Sequence, residues 1–173
     1  MSRSLPRATA TALALCLVSA PAAAAPSAPR RACPDAQPPA GAAPPEGALA
    51  GTVTSARAAA HVDARVAVVP LLAGFCTTRD AVFLGAAELP AAELTTSARI
   101  AYALGAWAGG RSGSPQDAEL HAAGIAGCAL GRLGVRGDEL TTQLLDLRDW
   151  SGPHPDARAW TRAAQEGHSA CAP

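Results

Sequence analysis

Residues 99–110 read RIAYALGAWAGG. After Arg99 the stretch carries no charge, and only Tyr102 and Trp107 have side chains that can hydrogen-bond. Wound as a helix, its apolar residues face nearly every direction, with Leu94, Ala98, Ala101 and Tyr102 on one side and Ile100, Leu104 and Trp107 on another. A helix that is apolar all round is surrounded by protein. The segment therefore predicts a buried helix over 91–108, closed by Gly109-Gly110.

The chain around it is helical too. SPQD, residues 114–117, is a start signal: Ser114 can cap, Pro115 takes the first helical position and Asp117 completes a pattern like a capping box. A second helix is expected from there to about Leu133, and a third over Asp138–Asp149 with Leu140, Leu144 and Leu147 on one stripe. A fourth is expected over Pro155–Glu166, ended by Gly167. Upstream, VAVVPLLAGFC and AVFLG, separated by the polar TTRD, predict a short hairpin or two short strands between Val66 and Leu84, with Pro70 confining the first to an edge. No internal repeat is present. The expected class is mainly α (α+β), a helical domain with a small β-hairpin.

The N-terminal part has a different character. Arg3 and Arg7 precede an apolar run from Ala8 to Ala20, followed by small residues with Ala23-Ala24-Ala25 as the favoured cleavage site, so residues 1–25 read as an export signal. That run is far shorter than the roughly 20 apolar residues that cross a bilayer, and none later is longer. No transmembrane segment is expected. Cys16 stands where a lipoprotein could be acylated, but Leu15 before it is larger than the residue usual there, which makes an anchor the minor reading. Residues 26–47, rich in Pro, Ala and Gly, predict a semi-extended leader, poorly ordered except near Cys33, and 48–173 forms the domain.

Composition excludes some functions. Net charge is zero with basic residues scattered, and there are only three Trp, two Phe and one Tyr, so neither a phosphate-binding footprint nor stacking platforms exist. Nucleic acid is not an expected partner. Removing the export signal leaves Cys33, Cys76, Cys128 and Cys171, an even set that favours two disulfides in a secreted chain. A zinc site of these four would need short pairs, yet no two lie closer than 43 residues.

Chemistry has few candidates. Glu119 falls on one helical stripe with Ala122, Ala126, Leu130 and Leu133, so its carboxylate points toward the core. A buried carboxylate needs a hydrogen-bonding or cationic partner, or a metal; the simpler reading is a first-turn position favoured by the macrodipole. His121, two residues on, faces away from it. His61, with nearby Asp63, and His154 and His168, flanking the last helix, read as surface residues. No G-x-S-x-G elbow is present, and GGRSGS, residues 109–114, lacks the G-K-[ST] of a phosphate cradle. Paired thiols are not nucleophiles. Trp150 and Trp160 could form a binding surface, but Trp160 shares an inner stripe with Ala157, Ala163 and Ala164, which predicts core packing.

Four blocks in order carry a resemblance. GFCTTRDAVFLG (74–85) is similar to FYCPxDxxVYLD, ARIAYALGAW (98–107) to AYVIAHExGHHV, ELHAAGIAG (119–127) to ELQADCxAG, and ARAWTRAAQEGHSAC (157–171) to QRxxWFxxGFxxGDPxxC. These are blocks of the bacterial neutral zinc metallopeptidases, which are exported or membrane-anchored zincin-like proteins. The resemblance spans 74–171. It implies a zincin-like helical fold, with Trp160 as the aromatic of the closing block, and the pairings Cys128 to Cys171 and Cys33 to Cys76, although the family's own cysteine in that helix aligns with Gly124.

The same alignment implies a lost metal. Zincin chemistry needs His-Glu-x-x-His on one helix, two ligands four apart with a glutamate that activates water. Here the histidine positions are Tyr102 and Ala106, and the glutamate position is Ala103. Glu119 matches the third ligand, while Ala123 replaces the Asp after it. Tyr102, Ala103, Ala106 and Glu119 thus form a vestigial metal site, with no catalytic residue and no cofactor expected. Tyr102 is expected to donate its hydroxyl to Glu119 across it. The implied function is a secreted, inactive zinc-peptidase-like protein that holds an unknown peptide or protein in the old cleft at the cell envelope. Two alternatives stand beside it: an active peptidase holding zinc through Glu119 with His61 or His154, and a structural envelope protein without a cleft.

Overall fold

A computed structural model describes residues 32–90, 92–110, 114–152, 154 and 156–173. The expected export signal, Cys16, the start of the leader and positions 111–113 of the glycine-rich loop lie outside the described residues. The described chain is mainly helical. Helices α1 (Gly47–Ala60), α2 (Glu93–Gly109), α3 (Pro115–Arg132), α4 (Gly137–Ser151) and α5 (Ala157–Cys171) pack with a sheet of β1 (Arg65–Val69), β2 (Phe75–Thr77) and β3 (Ala81–Gly85). None of these helices is long and apolar enough to cross a membrane.

The sheet is more than a hairpin. β2 and β3 form the antiparallel pair around TTRD, but β1 lies on the other side of β3 and runs parallel to it. The reason is in β3, AVFLG, whose five residues are all buried. A continuous apolar run has no solvent face and takes a central position with layers on both sides. Val82 and Leu84 face the helices with Val66 and Phe75, whereas Ala81 and Phe83 join Cys33, Val69 and Cys76 in a second, smaller core. β1 is an edge strand, as Pro70 directly after it requires.

That second core extends the ordered part of the leader beyond the neighbourhood of Cys33. Ala32 bridges to Thr77 on β2, and Ala43 bridges to Val68 on β1 through bonds of 3.0 and 2.8 Å. The segment between them crosses the sheet from one edge to the other, tied by Cys33–Cys76. Pro44 and Pro45 then stop further pairing, because proline has no N–H to offer the ladder.

Two further elements differ from expectation. α1 has no counterpart in the sequence reading, since GALAGTVTSARAAA carries two glycines and no clear apolar stripe. It forms because α2 and α3 pack against it, and tertiary packing outweighs weak propensity. α5 runs through Gly167 to Cys171 rather than ending there. A Cβ on Gly167 would lie 2.1 Å from the Gly124 carbonyl oxygen, so this glycine serves close helix packing and not a stop.

Two helices open on side-chain caps, the expected one of α3 and one that the sequence reading did not name. Ser114 and Asp117 form a reciprocal capping box on α3, and Asp156 accepts from the Arg158 and Ala159 amides at 3.0 and 2.9 Å to open α5. α2 touches α1, α3, α4 and the sheet. This answers why RIAYALGAWAGG is apolar on every side: it is the central helix.

Candidate functional site

The expected Tyr102–Glu119 contact is present. The Tyr102 hydroxyl donates to Glu119 Oε2 at 2.5 Å. Gly105 makes this possible, because a Cβ there would fall 2.8 Å from Ala122 Cα. Without one, α2 and α3 approach closely and bring positions 102 and 119 face to face. Ala103 and Ala106 on the same helix are buried, so this part of the helix contributes methyl groups and one phenol.

His154 joins this pair, contrary to the surface position expected of it. Its side chain is 3% exposed, and Nδ1 lies 3.2 Å from Glu119 Oε2, close enough for an ion pair but outside the angles of a hydrogen bond. The imidazole lies 4.9 Å from the Trp160 ring, tilted 30° to it. Nε2 sits 2.9 Å from Ser151 Oγ. The order serine, histidine, glutamate is that of a hydrolase relay, but the serine hydroxyl lies out of reach of solvent. Ser151 is buried and can give its hydrogen to the Leu147 carbonyl at 2.7 Å. A hydroxyl has one hydrogen. With that hydrogen on Leu147, Nε2 donates to Ser151 Oγ; with the other imidazole tautomer Oγ donates to Nε2, and the Arg148 carbonyl at 3.2 Å is a further acceptor.

The remaining space is filled by aromatic rings. Tyr102 meets Phe75, Trp150 and Trp160 at centroid distances of 6.1, 6.3 and 6.2 Å, and Phe75 stacks on Trp150 at 5.5 Å. Four of the six Phe, Trp and Tyr residues of the chain are gathered here. Arg99 fixes the outer side by a paired contact with Asp146 at 3.0–3.2 Å while lying 5.2 Å over the Trp150 ring, and Trp150 Nε1 donates to Glu88 at 3.1 Å. Trp160 is 1% exposed, the core position its stripe predicts, although Ala157 on that stripe and Leu133 beyond Glu119 reach solvent. Beside Glu119, His154 and Trp160 a void of about 10 Å³ is left, room for at most a single water.

The other histidines stay apart. His61 ends α1 in a left-handed conformation beside Arg57, which pairs with Asp63. His121 is exposed, and His168 contacts the Val135 carbonyl at 2.7 Å. Of the two partners expected for Glu119 in a metal set, the structure brings His154 and not His61. The donor set does not fit zinc. Positions 102 and 106 carry a phenol and a methyl, the phenol is bonded to one oxygen of Glu119, and no three His, Cys, Asp or Glu side chains converge among the described residues. Both expected disulfides, Cys33–Cys76 and Cys128–Cys171, are formed, with Cα atoms 4.9 and 5.0 Å apart.

Comparison with known proteins returns no match: no family model, no curated protein and no solved structure is similar to the chain.

The cluster is a structural unit whose worth can be measured. Tyr102→Phe keeps the ring packing and removes one hydrogen bond to a carboxyl group, an interaction of about 1.5–3 kcal/mol when the acceptor is charged. Urea unfolding of the variant should show a loss near the lower bound, because Glu119 keeps other contacts. An unchanged midpoint would mean that the bond contributes nothing net.

Proposed function

We propose that the protein is a secreted, catalytically inactive relative of the zinc metallopeptidases, serving as a scaffold or binding module at the cell envelope. The observation that carries this reading is the Tyr102 hydroxyl bonded to Glu119 at 2.5 Å, a phenol standing where a zincin has its first histidine. Two disulfides and the absence of a long apolar helix among the described residues suit an oxidising compartment outside the cytoplasm. The remaining void beside Glu119 holds no peptide, so any partner docks elsewhere on the surface. The same closure supports a second reading, a purely structural envelope protein.

Two measurements test the proposal. Chelator-free wild-type protein should carry well below one zinc per chain and cleave no peptide. Stoichiometric zinc that disappears together with peptidase activity in Glu119→Ala would replace it with an active enzyme. The triple variant Tyr102→His, Ala103→Glu, Ala106→His rebuilds the helical motif opposite Glu119 and should acquire zinc, which adding Glu119→Ala should abolish. A folded triple variant that takes up no metal would remove the zincin kinship.

A further inference from the structure

Three side-chain nitrogens among the described residues are buried without a hydrogen-bond partner: Arg57 Nε, His154 Nδ1 and Trp160 Nε1. Two of the three belong to residues that border one space, the void of about 10 Å³ beside Glu119. Trp160 makes the stronger case. An indole nitrogen is a donor only, and the other two tryptophans satisfy theirs on protein: Trp107 Nε1 donates to the Thr78 carbonyl at 3.0 Å, and Trp150 Nε1 to Glu88 at 3.1 Å. Trp160 is 1% exposed, so bulk solvent cannot take its hydrogen. A buried donor left unbonded is costly and calls for an acceptor.

The rest of the lining decides what that acceptor can be. Glu119 and Asp156 bring carboxylates, Gln116 an amide, and Leu120 an apolar wall. Glu119 accepts from Tyr102, and a carboxylate with about four lone-pair sites can accept again. A cation would be repelled by the indole hydrogen, and an anion by the two carboxylates. The occupant is therefore neutral and both accepts and donates. It is also very small, since about 10–15 Å³ and two to four polar partners are what one water requires.

We propose that this void is the binding site of a single internal water, which accepts from Trp160 Nε1 and donates to the Glu119 carboxylate, with His154 Nδ1 as a third partner in either tautomer. The water ties α5, through Trp160, to Glu119 on α3 and to the segment carrying His154. The proposal does not rest on the zinc-peptidase reading, whose tests count metal. It is tested by water-selective NOE spectroscopy on the full exported chain, with the indole signals assigned through Trp160→Phe. The Trp160 indole hydrogen should show a cross-peak at the water frequency with the sign of a long-lived bound molecule, and the indoles of Trp107 and Trp150 should not. The peak should persist in Tyr102→Phe, which removes the hydroxyl on Glu119 that could relay magnetisation from solvent. A crystal structure supplies a second measurement, one density peak within about 3.2 Å of both Trp160 Nε1 and a Glu119 oxygen. No Trp160 cross-peak, a peak lost with the Tyr102 hydroxyl, or a void without density would each overturn the proposal.

Discussion

Replacing Cys128 and Cys171 together with alanine is expected to lower the unfolding free energy by about 4 kcal/mol, the chain-entropy value for a loop of this length. The bridge spans 43 residues and joins the C-terminal part of α3 to the last residue of α5. Against a total of roughly 5–15 kcal/mol for a domain this is a large share. The Cys33–Cys76 bridge spans the same 43 residues, so the same entropic figure applies, but its loss should be felt locally first. It frees the leader, whose far end is then held by the Ala43–Val68 pair, and amide exchange at these two residues should accelerate before the helices respond. Urea titration of both double variants checks the first figure, and hydrogen exchange checks the second. A Cys128/Cys171 variant within about 1 kcal/mol of the wild type would show that helix packing alone restricts this part of the unfolded chain.

Gly127→Ala is the second large effect, expected to cost about 2–3 kcal/mol although alanine is the better helix former by about 1 kcal/mol. The added carbon would lie 1.9 Å from the Ala164 carbonyl oxygen. That atom is backbone, so it cannot rotate away, and α3 and α5 must separate along their length. Gly51→Ala is the matched control: it sits on the exposed side of α1 with nothing within 4 Å of the new carbon. There the propensity term stands alone, and the change should stabilise by about 0.5–1 kcal/mol. Opposite signs for one chemical change would locate the close contact. If both variants gained stability, the helices could not be as near as described.

What could be read from the residues follows physical lines. α2, α3 and α4 were legible because glycines, apolar spacing and, for α3, the cap agree, whereas the 102–119 contact was expected from the zinc-peptidase resemblance, which placed both positions at one site. His154 was read as a surface residue and set beside Glu119 only in the alternative that kept a zinc site. It lies in SGPHP, which has no period, 35 positions from Glu119, and only the folding of α4 and α5 against α3 brings it there. α1 was hidden by weak local preference, and the parallel strand by the assumption that neighbours in sequence pair first. The all-apolar AVFLG was the available clue to a central strand. Gly167 shows the opposite error, a glycine taken as punctuation that in fact permits contact.

The leader's path has a consequence for how the sheet avoids pairing with other chains. A three-stranded sheet has two open margins, and unpaired margins template further strands from other chains, the first step toward fibres. One continuous ribbon seals both, at Thr77 and at Val68. A proteolytic nick between Cys33 and Gly47 would leave the helices intact while unsealing the margin at Val68, so protection against polymerisation depends on the least regular stretch of the described chain.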